Sequence, residues 1–264
     1  MTNTIGHDVE FILTREGNPV SSIGLIGGSK DFPRPCNLGA LQEDNVLAEI
    51  NILPATTVEE WERNNKTVVQ ELQSLLPPGI VLSTAASAFY SRCELSDPKA
   101  LEFGCDPDMN AWSRKFNKFK TLSGKFKALR SAGGHVHVGI PDMDIKSKFN
   151  LIRCMDAFIG QQTVLLDKDK ERKRLYGKAG AMRLKPYGVE WRVPSNFWIH
   201  SEYDRTWMFE AAMFCADNFS VLEDMYKQKS IVTTINTNNA LSAAKNLNLL
   251  YALIEFPLHK DIPR

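Results

Sequence analysis

The chain has 264 residues, 43% hydrophobic and 24% charged, with a formal net charge of +1. That is globular composition with room for a sizeable core, and so small a net charge supplies no global field toward nucleic acid or an anionic membrane. The five cysteines are scattered, odd in number and without a CxxC pair, which argues against a disulfide scaffold. The opening "MTNTIGHDVEF" lacks a basic stretch followed by a long apolar run, and no segment reaches membrane-spanning length. A cytoplasmic protein with reduced thiols is the expectation.

In chain order, "HDVEFILT" (7–14) reads as a strand. Side chains at i and i+2 of a strand share a face, so Asp8 and Glu10 point one way, and Val9 and Phe11 the other. "GLIGGSK" (24–30) lacks the Gly-Lys-Ser/Thr of a phosphate loop and is expected to turn. "NVLAEINILPA" (45–55) repeats the strand pattern, with Glu49 and Asn51 opposite Ala48, Ile50 and Ile52. A helix follows. Thr57 and Glu60 form a capping-box pattern, Val58, Trp61, Val68, Leu72 and Leu75 recur at helical spacing, and Pro77-Pro78-Gly79 ends it. "IVLSTAASAFY" (80–90) predicts a strand running into a loop, and Leu95 to Ser123 is irregular.

Within that irregular stretch, "CDPDMNAW" places Asp106 and Asp108 either to bind an amine or to cap turns. Cys105 reads as a small buried thiol rather than a nucleophile. "RKFNKFKTLSGKFKALR" (114–130) interleaves Lys with Phe. A single-strand nucleic-acid contact uses such a pattern, but the near-neutral charge favours a solvated basic face, with Arg130 alone near a site. In "GGHVHVG", His135 and His137 share a face opposite Val136 and Val138, and Gly133 and Gly134 remove bulk. Asp144 is expected to cap a helix through Phe149, Ile152, Met155 and Ile159. "DKDKERKR" (167–174) is expected to be a solvated helix end or loop. "GVEWRVPSNFW" (188–198) is a further strand, with Glu190 and Arg192 opposite Val189, Trp191 and Val193. Ser201 starts a helix through Trp207, Ala211, Phe214 and Asn218, "TTINTNN" (233–239) reads as a polar loop, and a last helix runs to about Glu255. Mixed strands and helices without a linker predict one α/β or α+β domain over 1–264.

Four strands thus each turn a polar pair away from apolar neighbours. Ordinary wet sheet faces give such alternation, but they carry Lys, Thr and Ser. These carry Asp8, Glu10, Glu49, Asn51, His135, His137, Glu190 and Arg192. Carboxylates gathered on one face repel one another unless cations sit between them. Oxygen-rich ligation with one imidazole suits Mg²⁺ or Mn²⁺ better than structural zinc. Magnesium held by a few carboxylates completes its shell with water and nucleotide phosphate. The residues therefore point to a metal–phosphate site on an open sheet.

"GHDVEF", "AEINILPA", "CDPDMNAW", "LRSAGGHVHVG" and "YGKAGAMRLKPYGVEWRVPSNFW" together resemble, in order, the motifs of the phage-type carboxylate–amine ligases, relatives of glutamine synthetase and glutamate–cysteine ligase. The resemblance runs from residue 6 to about 198. It implies an α+β fold: a curved antiparallel sheet of the glutamine synthetase catalytic type, with helices on its back face. It implies that ATP phosphorylates a carboxylate and an amine attacks the acyl phosphate to form an amide. Asp8, Glu10, Glu49, a histidine and Glu190 match the metal-binding positions, with His135 favoured as ligand and His137 near nucleotide or substrate. Lys178, Arg183, Lys185 and Arg192 match positions near the phosphates. Asn51, Asp108, Arg130 and Asn196 are carried as substrate-binding, and Glu10, Glu49, Glu190 and Arg192 as catalytic. Many superfamily members have Glu where this chain has Asp8, and the chain is short for the superfamily. The expected partners are small-molecule or peptide carboxylates and amines, with neither nucleic acid nor membrane, and with homo-oligomers and a host-cell cytoplasm in view. Rival readings are a guanidino-kinase-like phosphotransferase, a metal-dependent hydrolase and a non-catalytic binding module on the same scaffold.

Overall fold

A computed structural model describes residues 2–101, 108–117 and 123–262. Among them, strands β1 (Thr4–Phe11), β2 (Arg34–Cys36), β3 (Gly39–Asp44), β4 (Leu47–Ile52), β5 (Met109–Asn110), β6 (Lys115–Phe116), β7 (Gly134–Gly139), β8 (Ala181–Lys185) and β9 (Gly188–Trp191) form one sheet. Its order is β6-β5-β8-β9-β7-β1-β4-β3-β2, and every pairing is antiparallel. The protein is therefore a mixed α and β fold built on a large antiparallel sheet.

Register decides what the sheet displays. Asp8 pairs with Asn51 on one side and His135 on the other, and Glu10 pairs with Glu49. His137 pairs with Gly6 and Glu190, and Glu190 with Arg183. Paired residues of antiparallel strands share a face, so the expected polar positions converge. The other face carries Ile5, Val9, Phe11, Ile50, Val136, Val138, Val189 and Trp191, all buried.

Helices cover that apolar face. In α1 (Val58–Leu75), Thr57 Oγ1 accepts from the Glu60 amide at 3.2 Å, as expected. The reciprocal half of the box slips by one residue, because the Glu60 carboxylate takes the Thr56 amide and hydroxyl instead, each at 2.9 Å. Val68 and Leu72 are fully buried, each contributing about 1.5–3 kcal/mol. Asp144 caps α2 (Ile145–Met155) by accepting from the Ser147 amide at 2.7 Å. The helix runs on, but through a π-turn (Asp156–Gly160) before α3 (Gln161–Leu166). Ser201 caps α4 (Glu202–Asn218) as expected.

Two expectations fail. "TTINTNN" lies mostly in a helix, α5 (Lys229–Thr237), because Ile231 and Ile235, one turn apart, are buried. Only Asn238, left-handed at φ 53°, and Asn239 break the chain, and Asn239 caps α6 (Ala240–Tyr251), which stops short of Glu255. "DKDKERKR" is not a solvated run. Asp167, Arg172 and Lys173 are buried. Arg172 Nη1 donates to Val193 O at 3.0 Å and Lys173 Nζ to Gly177 O at 2.7 Å, so the run clamps the exit of β9.

His7 sits on the apolar face, edge-on to Trp61 and Trp198. Its Nε2 lies 2.8 Å from Asn65 Oδ1. Asn65 Nδ2 is already donating to Trp61 O, so Oδ1 accepts and Nε2 carries the proton. Burial pushes His7 from 6.5 down to about 3. Between those values the unfolded chain binds a proton that the folded chain refuses. Stability from this group is complete above pH 6.5 and falls by about 1.4 kcal/mol per unit as the pH drops. His7→Gln keeps a donor for Asn65 but cannot titrate. Urea unfolding between pH 6.5 and 4 is expected to give a flatter stability curve for the variant by that slope. Equal slopes would exclude His7 as the source.

Candidate functional site

A cleft of about 490 Å³ opens on the polar face, lined by Asp8, Glu10, Asp44, Glu49, Asn51, His135, His137, Arg183, Lys185 and Arg192 among others. Two groups of ligand atoms converge in it. Asp8, His137 and Glu190 form one, and Glu10, Asp44 and Glu49 the other, with one atom from each member within 4.8 Å of its companions. Strand alternation and register produce both.

The glycines before His135 are explained by space. A Cβ at Gly133 would overlap the His135 imidazole, and one at Gly134 would run into Ser195 O and the Trp198 indole. Gly133 also donates its amide to Glu10 Oε2 at 2.5 Å. His135 Nδ1 lies 2.8 Å from Asp8 Oδ1 and 3.1 Å from Arg192 Nη1. It can donate to the carboxylate or accept from the guanidinium, not both. His137 Nε2 is 3.1 Å from Asp8 Oδ2, and its Nδ1 is 2.9 Å from Tyr187 Oη. Sequence favoured His135 as the ligand, but the converging set contains His137, and His135 stands beside it.

Glu190 is fully buried, with Arg192 bound to Oε1, Arg183 Nη1 at 3.6 Å and Lys185 Nζ 2.8 Å from Oε2. Burial and Asp8 oppose its charge, yet Arg192, His135 and His137 hold its carboxyl at about 2. Asp8 behaves alike. Burial would raise it, but His137 and then His135 hold it well below the usual range. The second group is the reverse. Burial, then Asp44, lifts Glu10 to about 8, although the Gly133 amide and Arg192 oppose the rise. Burial, followed by Asp8, Asp44 and Glu10, pushes Glu49 well above its ordinary value. One group is compensated by protein cations, and the other is short of positive charge.

A divalent cation fits both groups. Three carboxylates crowd the second group. In the first, His137 Nε2 and Glu190 Oε2 are buried without a directed hydrogen bond, although Asp8 and Lys185 come within ion-pair range. Oxygen-rich sets with one imidazole suit a hard ion.

Not every expected residue reaches the cleft. Lys178 donates to Asn236 O at 3.1 Å, carried away between Gly177 and Gly180, both left-handed, toward α5. Arg130 is a staple, donating to Asn45 Oδ1, Ala100 O, Lys127 O and Leu129 O. Asn196 is buried behind β1, donating to Glu10 O at 2.9 Å. Asp108 meets Arg192 instead, with Oδ1 2.7 Å from Nε, close enough for an ion pair but off the line of a hydrogen bond. Cys105 and Asp106 lie outside the described residues. Sequence reasoning missed Asp44, Gln42, Lys30 and Tyr187, all lining the cleft. "ALQED" carried the signal for Gln42 and Asp44, which alternate, but Glu43 between them hid it. "GLIGGSK" does turn, and Lys30 at its end reaches the cleft.

The GmaS/ADP complex (conformation 1) shares the fold at a TM-score of 0.50, with 12% identity over 96% of this chain and 65% of that one. A bifunctional glutathione synthetase from Pasteurella multocida aligns at 0.45, with 9% identity over 93% of this chain and 46% of that one. The chain thus spans about half to two thirds of these proteins. No curated protein matches the sequence. The model of the phage phiEco32-like COOH.NH2 ligase family, type 2, matches residues 115–252, and the chain belongs to that family.

The charge imbalance gives a stability prediction. Glu49→Gln keeps the shape and removes one acid from the crowded group. At pH 8.5 without divalent cations, the variant is expected to be more stable by roughly 1 kcal/mol, or about 2–4 °C in Tm. Millimolar Mn²⁺ should raise the wild-type Tm and leave the variant nearly unmoved. A variant less stable in both buffers would contradict the imbalance.

Proposed function

We propose that this chain is an ATP-dependent carboxylate–amine ligase, one catalytic domain of the glutamine synthetase type, acting in the cytoplasm of a phage host. The observation that carries the reading is the pairing of two three-member ligand groups with Arg183, Lys185 and Arg192 in one cleft. Asp8, His137 and Glu190 would hold one Mg²⁺ or Mn²⁺, and Glu10, Asp44 and Glu49 a second. Such ions supply positive charge against phosphate oxygens.

Phosphoryl transfer needs positioning and neutralisation of spread negative charge. Arg183 and Lys185 stand on the phosphate side, and Arg192, fixed by Glu190 and Asp108, is a preorganised cation beside them. Gly6, Ile52, Pro54, Gly139 and Tyr187 also line the cleft and would offer uncharged surface to a nucleotide base. The γ-phosphoryl group passes to an oxygen of the acid substrate as its bond to ADP breaks. The amine nitrogen then attacks the acyl carbon, phosphate leaves with its electron pair, and the nitrogen loses a proton. The substrates are small-molecule or peptide carboxylates and amines, and a homo-oligomer is compatible with this arrangement.

Calorimetry with ATP, with and without Mg²⁺ or Mn²⁺, tests the reading before any substrate is known. Metal-dependent binding is expected, lost in Glu10→Ala and weakened at least 10-fold in Arg192→Lys, which cannot offer a planar fork. In turnover, ADP release should need both an acid and an amine. A phosphorylated amine formed without an acid would point to a guanidino-kinase-like enzyme. No nucleotide binding under any metal would leave a hydrolase or a binding module.

Cation binding must also displace protons. Burial, then Asp44, pushes Glu10 up to about 8, so below that pH a bound proton competes with the metal. Mn²⁺ affinity is expected to rise as the pH goes from 6 to about 8, as the raised Glu10 gives up its proton. Titrations in buffers of different ionisation enthalpy should show proton release at pH 7. Affinity independent of pH from 6 to 8 would contradict a role for Glu10 as ligand.

A further inference from the structure

Behind the sheet, on the side away from the cleft, one carboxylate receives three N–H donors from three segments. Asp156 is fully buried in the π-turn between α2 and α3. Its Oδ2 accepts from Trp112 Nε1 and from the Gly180 amide, each at 2.6 Å, and its Oδ1 from Trp191 Nε1 at 2.9 Å. π-turns are rare, and they recur beside functional sites.

Each donor belongs to a segment that supplies the cleft. Trp191 lies between Glu190 and Arg192. Gly180 leads into β8, which carries Arg183 and Lys185. Trp112 belongs to the β5–β6 segment, which begins beside Asp108, the partner of Arg192 Nε. These segments are also tied to each other. Asn110 donates to Ala179 O at 2.9 Å, and Arg153, one turn before Asp156, donates to Ala111 O at 2.8 and 3.1 Å.

Packing alone does not call for an acid here. Burying a carboxylate is unfavourable, and burial pushes this one up to about 6 against the pull of Trp112, Trp191 and Gly180. Above that pH it is a pure acceptor. An apolar side chain would fill the space but leave two indoles and an amide without a partner and free to rotate or slide.

We propose that Asp156 is a positioning residue of the cleft, whose carboxylate fixes Trp191, Trp112 and Gly180 and through them the Glu190–Arg192–Asp108 arrangement. The catalytic meaning of that arrangement rests on the ligase reading above, but the geometric claim does not.

The test is NMR of ¹⁵N-labelled protein without nucleotide, following Arg192 Nε–H and the indole signals of Trp112 and Trp191. Arg192→Lys, Trp112→Phe and Trp191→Phe assign them. Asp156→Asn offers one acceptor oxygen and turns an NH₂ toward N–H donors. The indole signals should move, and Arg192 Nε–H should shift or broaden, with the far-UV spectrum unchanged. Leu247→Ala, a destabilising change in α6, should leave Arg192 Nε–H in place. A folded Asp156→Asn with an unmoved Arg192 signal overturns the proposal, as does an equal movement in Leu247→Ala. If Asp156→Asn does not fold, Trp112→Phe alone decides: it removes one donor, and an unmoved Arg192 signal again overturns the claim. Mg²⁺-ATP titration is a separate arm. A wild type that binds no nucleotide sinks the ligase reading and leaves the positioning result standing on the Arg192 signal. If the wild type binds, at least a 10-fold loss of affinity is expected in Asp156→Asn, and unchanged affinity overturns the proposal.

Discussion

Repulsion among Asp8, Glu10, Asp44, Glu49 and Glu190 is the constraint around which the rest of the molecule is arranged. Left in water, these groups would separate. Asp8, Glu10, Glu49 and Glu190 are held in the cleft because each alternates with buried residues of the other face, and Asp44 joins them from the neighbouring strand. Asp8 is flanked by His7 and Val9, Glu49 by Ala48 and Ile50, and Glu190 by Val189 and Trp191, all buried. Helices α1, α2 and α4 supply the apolar surface that this other face needs. Hydrophobic burial on one side of a sheet one residue thick thus holds charge together on the other.

The repulsion is also distributed unevenly. Around Glu190 the protein provides Arg183, Lys185 and Arg192, so that carboxylate stays ionised in the dry interior. Around Glu10, Asp44 and Glu49 it provides little, and two of the three acids hold protons more tightly than usual. A site that were merely structural would be balanced throughout. The imbalance is confined to the place where the proposed cation would restore neutrality, and its binding would then also stabilise the fold.

What the sequence disclosed follows from period. Where strands alternate strictly, as in "GHDVEF", "LAEINI", "GHVHVG" and "GVEW", the shared face could be read residue by residue. The readings failed where period carries no information. Glu43 disguised the alternation that exposes Asp44. Arg172 and Lys173 look like solvated charge in one dimension, and only the carbonyls of Val193 and Gly177 show why they are buried. Lys178 matched a motif, but its backbone turns it toward α5. His135 and His137 are equivalent by alternation, and their cross-strand neighbours distinguish them: Asp8 opposite His135, Gly6 and Glu190 opposite His137. Asp156 had no signal at all, since a buried acid inside an amphipathic helix is visible only once its indole partners are in place.

The two halves of the cleft differ in how far apart their members lie along the chain. Arg183, Lys185, Glu190 and Arg192 all belong to the β8–β9 hairpin and its exit, a short loop whose closure loses little entropy. Asp8 and His135 lie 127 positions apart. The cationic half is a local unit closed by one hairpin, and Glu10, Asp44 and Glu49 come together from the first 49 residues, whereas the contacts of Asp8 with His135 and His137 join the first and middle thirds of the chain. The cleft is thus closed by chain loops of very different length, short ones within each half and a long one between them.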